Sequence, residues 1–150
     1  MNVFEVQALS VAQQSSFLAS VARQGQKIVR MDNFAYNGNA VNLAAAATTQ
    51  IIINFQSDSD FVIQYVSATS LGTTQLTMQV LDTGSGRTFY NQPTLVSLVA
   101  GNNGFPYWLP TPKVVAPSTN LQITLTNIDA AATMTRFDIS FSGARIYYAS

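Results

Sequence analysis

From about residue 40 onward, apolar and polar residues alternate with a period of two, the pattern of strands that bury one face and wet the other. Ile51, Ile53 and Phe55 alternate with Ile52 and Asn54, and Phe61, Ile63 and Tyr65 alternate with Val62, Gln64 and Val66. Between these runs lies Gln56-Ser57-Asp58-Ser59-Asp60, whose side chains favour turns by hydrogen-bonding their own backbone. Leu76, Met78 and Val80 alternate with Gln75, Thr77 and Gln79 and end at the glycine-rich turn Asp82-Thr83-Gly84-Ser85-Gly86. Residues 87–91 read as a short return strand and 94–100 as another. All five prolines fall between Pro93 and Pro117; proline cannot donate to a central ladder, so this stretch is edge, corner or a long connection crossing between two sheets. Leu121, Ile123 and Leu125, then Phe137, Ile139 and Phe141, supply two more alternating runs. The last continues past Gly143, a position suited to a bulge, into Arg145-Ile146-Tyr147-Tyr148, where the two tyrosines face opposite ways.

Roughly eight strands joined by polar turns every 8 to 12 residues or so predict an all-β protein. One wet face per strand argues for antiparallel pairing. The expected fold is an antiparallel β-sandwich, jelly-roll-like, with about eight strands and an N-terminal arm or short helix. The predicted division is an arm over 1–33 and a sandwich domain over 34–150, with 44–47 able to form a single turn. In the arm, Phe17, Leu18 and Val21 have loose helical spacing, and Arg23, Lys27 and Arg30 share one face if the segment is helical. Gly25 weakens such a helix. The three cations face either water or an acidic partner.

Composition narrows the function. Charged residues make up 9% of the chain, where about 25% is usual, and seven positive charges balance seven negative ones. A chain with no net positive field lacks the electrostatic footprint of a nucleic-acid binder. No apolar run approaches the ~18 residues of a bilayer span, so no membrane partner is expected. Glu5 stands where a secretory signal would carry positive charge. Low net charge and abundant uncharged polar side chains favour association, and a homo-oligomer, most simply a trimer, is expected.

Histidine and cysteine are both absent, which removes imidazole and thiolate nucleophile pairs, their metal sites and disulfides. Asp58 and Asp60 have a spacing that suits a solvated turn, part of a calcium site or, least of all, a carboxylate pair. Gly84-Ser85-Gly86-Arg87 lacks the lysine and following helix of a phosphate loop. No enzyme activity, metal or cofactor is expected. Phe105, Tyr107 and the single tryptophan, Trp108, form an aromatic cluster between Pro106 and Pro110. Tyr107 and Trp108 either plug an open end of the sandwich or form a contact platform.

Asp60-Phe61-Val62-Ile63-Gln64-Tyr65, the turn Asp82 to Arg87, Leu109-Pro110-Thr111-Pro112, and the closing runs 121–127 and 139–143 resemble small virion proteins encoded with tailed-phage head genes, of the decoration or cement kind. The resemblance covers about residues 48–148 and implies a jelly-roll capsid protein of bacteriophage, located in the virion. It implies a homotrimer whose partner is the major capsid protein or another virion protein, with no catalytic or cofactor residues. On this reading Phe17, Leu18, Val21, Arg23, Lys27, Arg30, Tyr107 and Trp108 are candidate partner contacts. The alternative is a carbohydrate-binding or host-recognition module of a head fibre or tail, with Tyr107 and Trp108 stacking on sugar rings.

Overall fold

A computed structural model describes residues 23, 25–102 and 104–149. Nine strands occur among them: β1 (Ile28–Leu43), β2 (Thr48–Asn54), β3 (Asp60–Leu71), β4 (Leu76–Asp82), β5 (Arg87–Thr88), β6 (Thr94–Leu95), β7 (Tyr107–Val115), β8 (Asn120–Asn127) and β9 (Met134–Tyr148). They form two antiparallel sheets. The first has the order β1-β9-β3-β7; the second has β2-β8-β4-β5, with β6 also pairing with β4. That is the jelly-roll order: apart from β4, β5 and β6, which stay together in the second sheet, consecutive strands alternate between sheets, and the central pairings β3–β9 and β4–β8 join strands distant in sequence.

The period-two pattern sets which side chains meet. Phe61, Ile63 and Val66 of β3 and Phe137, Ile139 and Phe141 of β9 face Ile51 and Ile53 of β2, Leu76, Met78 and Val80 of β4, and Leu121, Ile123 and Leu125 of β8 in one buried core. Tyr36, Phe55 and Phe61 add ring contacts with centroids 4.4 to 5.7 Å apart. Between β7 and β5 the core is closed by Phe89, whose ring meets Phe141 at 6.4 Å and carries the Lys113 ammonium at 4.8 Å.

Two sequence expectations change. The predicted arm, 1–33, gives way to strand at Ile28, because residues 28–33 pair with the end of β9, Ile28 opposite Tyr148 and Asn33 opposite Ala144. The segment 94–100 is not one strand: after Thr94–Leu95 it forms a single helical turn, α1 (Val96–Val99), closed by Ala100 N–H donating to the Val96 carbonyl. The proline-rich stretch does cross between the sheets, leaving β6 in the second and arriving as edge strand β7 in the first. Ala47 N–H donates to the Ala44 carbonyl, so 44–47 is the turn expected there.

Candidate functional site

At the end of the first sheet where β1 begins and β9 finishes, the sheet overhangs its partner and gathers Arg23, Lys27, Arg30, Asp32, Asp58, Asp60 and Arg145. These are seven of the fourteen charged residues in the chain. Arg145 lies between the rings of Phe34 and Tyr147, 4.8 and 5.3 Å from their centroids. It donates to both Asp58 carboxylate oxygens at 3.0 and 3.3 Å and to Ser59 Oγ at 3.2 Å. Arg30 covers the other side of Tyr147 at 4.0 Å and pairs with Asp32 at 3.2 Å. Guanidinium groups and rings thus alternate in a short stack, Phe34, Arg145, Tyr147, Arg30, with each cation also facing a carboxylate.

Arg23 belongs to the opposite face of the same sheet. Its guanidinium makes a two-point contact with Asp60, Nε to Oδ2 at 3.0 Å, and its backbone N–H donates to the Tyr148 hydroxyl at 3.0 Å. Asp60 is 3% exposed; a carboxylate that deep is held by paired donors, and removing them strands a buried charge. Asp58 and Asp60 therefore do not share one solvated turn. One closes the Arg145 stack and the other is the buried anchor of Arg23.

A helix would have placed Arg23, Lys27 and Arg30 on one face; the structure, with strand from Ile28, puts them apart. Arg30 points to the inner side of the overhang, Arg23 sits on the outer face, and Lys27 is exposed, its carbonyl accepting from Ala149 N–H. Phe17, Leu18 and Val21 lie outside the described residues. Trp108 is on the outer face of the first sheet, half-buried and stacked on Tyr65 with centroids 4.8 Å apart. Its position is on that face rather than in an open end. Tyr107, on the inner side, neighbours Tyr90, whose hydroxyl burial pushes well above the usual phenol range, helped by Tyr107.

The aromatic with a free surface is Phe105, 81% exposed, on the loop between α1 and β7. Asn102 fixes that loop: its Oδ1 accepts from Gly104 and Phe105 N–H at 3.0 Å each, and its own N–H donates to the Phe105 carbonyl at 3.1 Å. At Gly101 a Cβ would come within 1.9 Å of the Phe105 carbonyl oxygen, so only glycine allows the loop to fold back this closely. Beside Phe105 opens a cleft floored by Leu76, Val96, Ala100 and Phe137 and rimmed by Thr69, Ser70 and Ser97, with no charged side chain among the described residues that line it. Leu98 and Leu71, 64% and 63% exposed, lie on the flanking elements. The sequence signal for this surface was present, since Phe105 belongs to the aromatic cluster, but Tyr107 and Trp108 were taken as the contact residues instead.

Stability should be flat from about pH 5 to 9. The Asp129 carboxyl is held below its usual range by the N–H groups of Ala132 and Ala131 and the Thr73 hydroxyl. For Asp58, burial pushes upward but the Arg145 hydrogen bond and charge outweigh it, and the net direction is down. Depressed carboxylates stabilise the fold above their unfolded values, near 4, and that contribution is lost as pH falls through the folded ones. Tyr90, raised by burial, acts at the other limit: above about pH 10 the unfolded chain ionises while the folded one resists, so stability falls. Melting temperatures across pH 2 to 11 check both flanks.

No protein family matches the chain, and no curated protein is similar to it. Among solved structures, a chain of the cyanophage Pam1 capsid asymmetric unit is similar over 90% of this chain and 97% of that one, at 18% identity and a TM-score of 0.40.

Proposed function

We propose that this protein is a non-enzymatic virion structural protein that binds a tailed-phage capsid surface and stabilises it. The observation that carries this reading is the surface around Phe105: a large, exposed aromatic on a loop already fixed by Asn102, beside an uncharged cleft. A preorganised aromatic anchor loses little entropy on docking, and such residues dominate protein interfaces. The sequence resemblance to decoration proteins and the low charge point the same way. The mechanism is mass action: a protein that binds the assembled shell and not its separated subunits adds its binding free energy to the shell, once per copy. A homotrimer is the expected form, closing apolar edges in a ring.

Attachment is assigned to the Phe105 end, because Arg23 and Arg30 already face carboxylates of their own chain. The double variant Phe105→Ser/Leu98→Ser, both exposed, should fold normally and bind purified particles at least about 30-fold more weakly, the loss of a hot-spot residue. Mass spectrometry of purified particles tests the premise, and absence of the protein there sinks it. The carbohydrate alternative draws on the same lack of charge. A selective glycan ligand lost in Trp108→Ala would favour it over capsid binding.

A further inference from the structure

Past Val66 one edge of β3 loses its strand partner. β7 accompanies β3 only as far as Val66, opposite Tyr107, whereas β9 stays paired with the other side of β3 to Leu71. Gly101 takes the next position. It lies beside Ser67 in the parallel sense, its N–H donating to the Val66 carbonyl at 3.1 Å and its carbonyl accepting from Ala68 N–H at 2.7 Å. There the chain turns away, closed by Asn102 N–H donating to the Phe105 carbonyl. Successive residues of a strand direct their main-chain groups to opposite sides, so the Ala68 carbonyl and the N–H and carbonyl of Ser70 face the side that Gly101 occupies. Among the described residues these three groups have no main-chain partner. They open onto the cleft beside Phe105, which Ala68 and Ser70 line.

We propose that the cleft takes an extended, uncharged segment of the partner protein, which adds a strand to the edge of β3 at Ser70. This rests on the attachment site assigned above for where the partner docks, and adds how it is held. Three features select the occupant. Open donors and acceptors at strand spacing are satisfied by an extended main chain, not by a helix, whose main chain is paired internally. Side chains that the added strand turns inward meet the apolar floor of Leu76, Val96 and Phe137, and no charged residue among the described ones lines the cleft, so a charged side chain would lose its water without gaining a counter-ion. Size agrees: the cleft encloses about 510 Å³, within the range that buries most of a small ligand. Ala68 to Leu71 spans about 10 Å, room for roughly three or four residues of added strand. Phe105, held at the mouth by Asn102, then packs on that strand instead of standing in water.

Ser70→Pro and Ser70→Ala separate main chain from side chain. Proline removes the Ser70 N–H and sets its ring in the open edge, where strands tolerate it because that N–H serves no ladder; alanine keeps the N–H. Particle binding should fall at least about 10-fold in Ser70→Pro and stay near the parent's in Ser70→Ala, with circular dichroism confirming both folds. Parental binding by a folded Ser70→Pro, with Phe105→Ser/Leu98→Ser impaired, overturns strand addition and leaves the attachment site standing. A phage-displayed library of random heptapeptides, panned against the isolated protein, tests the same edge without particles. Uncharged binders should be enriched, and methylating the main-chain nitrogens of a binder at alternate residues should abolish binding with its side chains unchanged. No enrichment, charged binders, or indifference to N-methylation overturns the proposal. That measurement decides if Ser70→Pro does not fold, or if the protein is absent from particles and the proposed function falls. Amide exchange identifies the occupant: Ser70 N–H should exchange quickly in the isolated chain and slowly with a bound peptide, and Ala68 N–H slowly in both. A Ser70 N–H protected in the isolated monomer means that the chain itself fills the edge. Protection that fades on dilution assigns the edge to a second copy, and both results overturn the assignment to a partner.

Discussion

Replacing Gly143 by alanine is expected to leave little or no folded protein. Gly143 sits in the middle of β9, opposite Phe34 of β1 and Ile63 of β3. Just beyond Ile63 the β3 register shifts, so that Gln64 is the extra residue of a bulge and Tyr65 pairs next with Ser142. The bulge brings the β3 backbone down onto the glycine. A Cβ there would stand 1.8 Å from the Val62 carbonyl oxygen, 2.9 Å from its carbon and 3.1 Å from the Gln64 nitrogen. All three are main-chain atoms of a central strand, and no side-chain rotation relieves them. Relief requires parting β3 from β9, the pair that carries Phe61, Ile63, Phe137 and Phe141 into the core. The cost should exceed about 4 kcal/mol, among the largest single-residue effects and much of the ~5–15 kcal/mol that keeps such a domain folded. Gly38→Ala is the contrast. Its Cβ would meet Ile51 Cγ2 at 2.8 Å and Ile53 Cδ1 at 3.1 Å, ends of side chains that can turn aside, so a loss of about 1–3 kcal/mol is expected. Soluble yield and thermal melting of the two variants check the ranking. A Gly143→Ala protein that melts within a few degrees of the parent would show that β3 and β9 do not approach as described.

What was legible in the sequence was whatever a single strand decides locally. Alternation located β2, β3, β4, β8 and β9 because each buries one face, and the prolines marked the crossing segment because they cannot sit in a central ladder. β1 was not read as a strand, and its residues 28–33 were assigned to the arm, for a definable reason. Among the described residues it is an edge strand whose only strand partner is β9, and its first residues project past the second sheet, so Arg30 and Asp32 occupy positions where alternation would require apolar side chains. The Arg145–Asp58 contact joins residues 87 apart, and the Arg23–Asp60 clamp crosses 37. Neither spacing carries a local signature. The same applies to the outer face, where Val62 looked like the polar-side member of an alternating run and only the pairing with Ala144 and Val114 shows an apolar strip. The sequence favoured Trp108 over Phe105 as a contact residue, and only register shows that Trp108 lies on a sheet face while Phe105 is on an exposed loop.

The second large effect is expected at Asn127, the last residue of β8 and fully buried. Its Nδ2 donates to the Leu43 carbonyl at 3.1 Å and to the Ala132 carbonyl at 2.9 Å, and its Oδ1 accepts from Asp129 N–H at 2.9 Å. One amide thereby ties the end of β1, in the first sheet, to the end of β8, in the second, and to the turn that leads into β9. Its own N–H donates to the Ala47 carbonyl, which adds the β1–β2 turn to the same knot. Leucine of similar size would leave two carbonyls and one N–H without this partner, the Leu43 carbonyl in a buried place and the other two groups half-buried, at about 1–3 kcal/mol each. Asn127→Leu should therefore lose about 4 kcal/mol in urea unfolding. Aspartate keeps the shape and the acceptor but cannot donate while ionised, and it points a buried charge at two carbonyl oxygens. Its carboxyl would be forced upward by that environment, since the neutral form alone can donate a hydrogen bond there. A folded-state value raised above the unfolded one gives stability that is present at low pH and lost as pH rises. Asn127→Asp should consequently sit closer to the parent at pH 4 than at pH 7, whereas the loss in Asn127→Leu should not depend on pH. Two variants within about 1 kcal/mol of the parent at both pH values would mean that the knot contributes no more than an ordinary surface hydrogen bond.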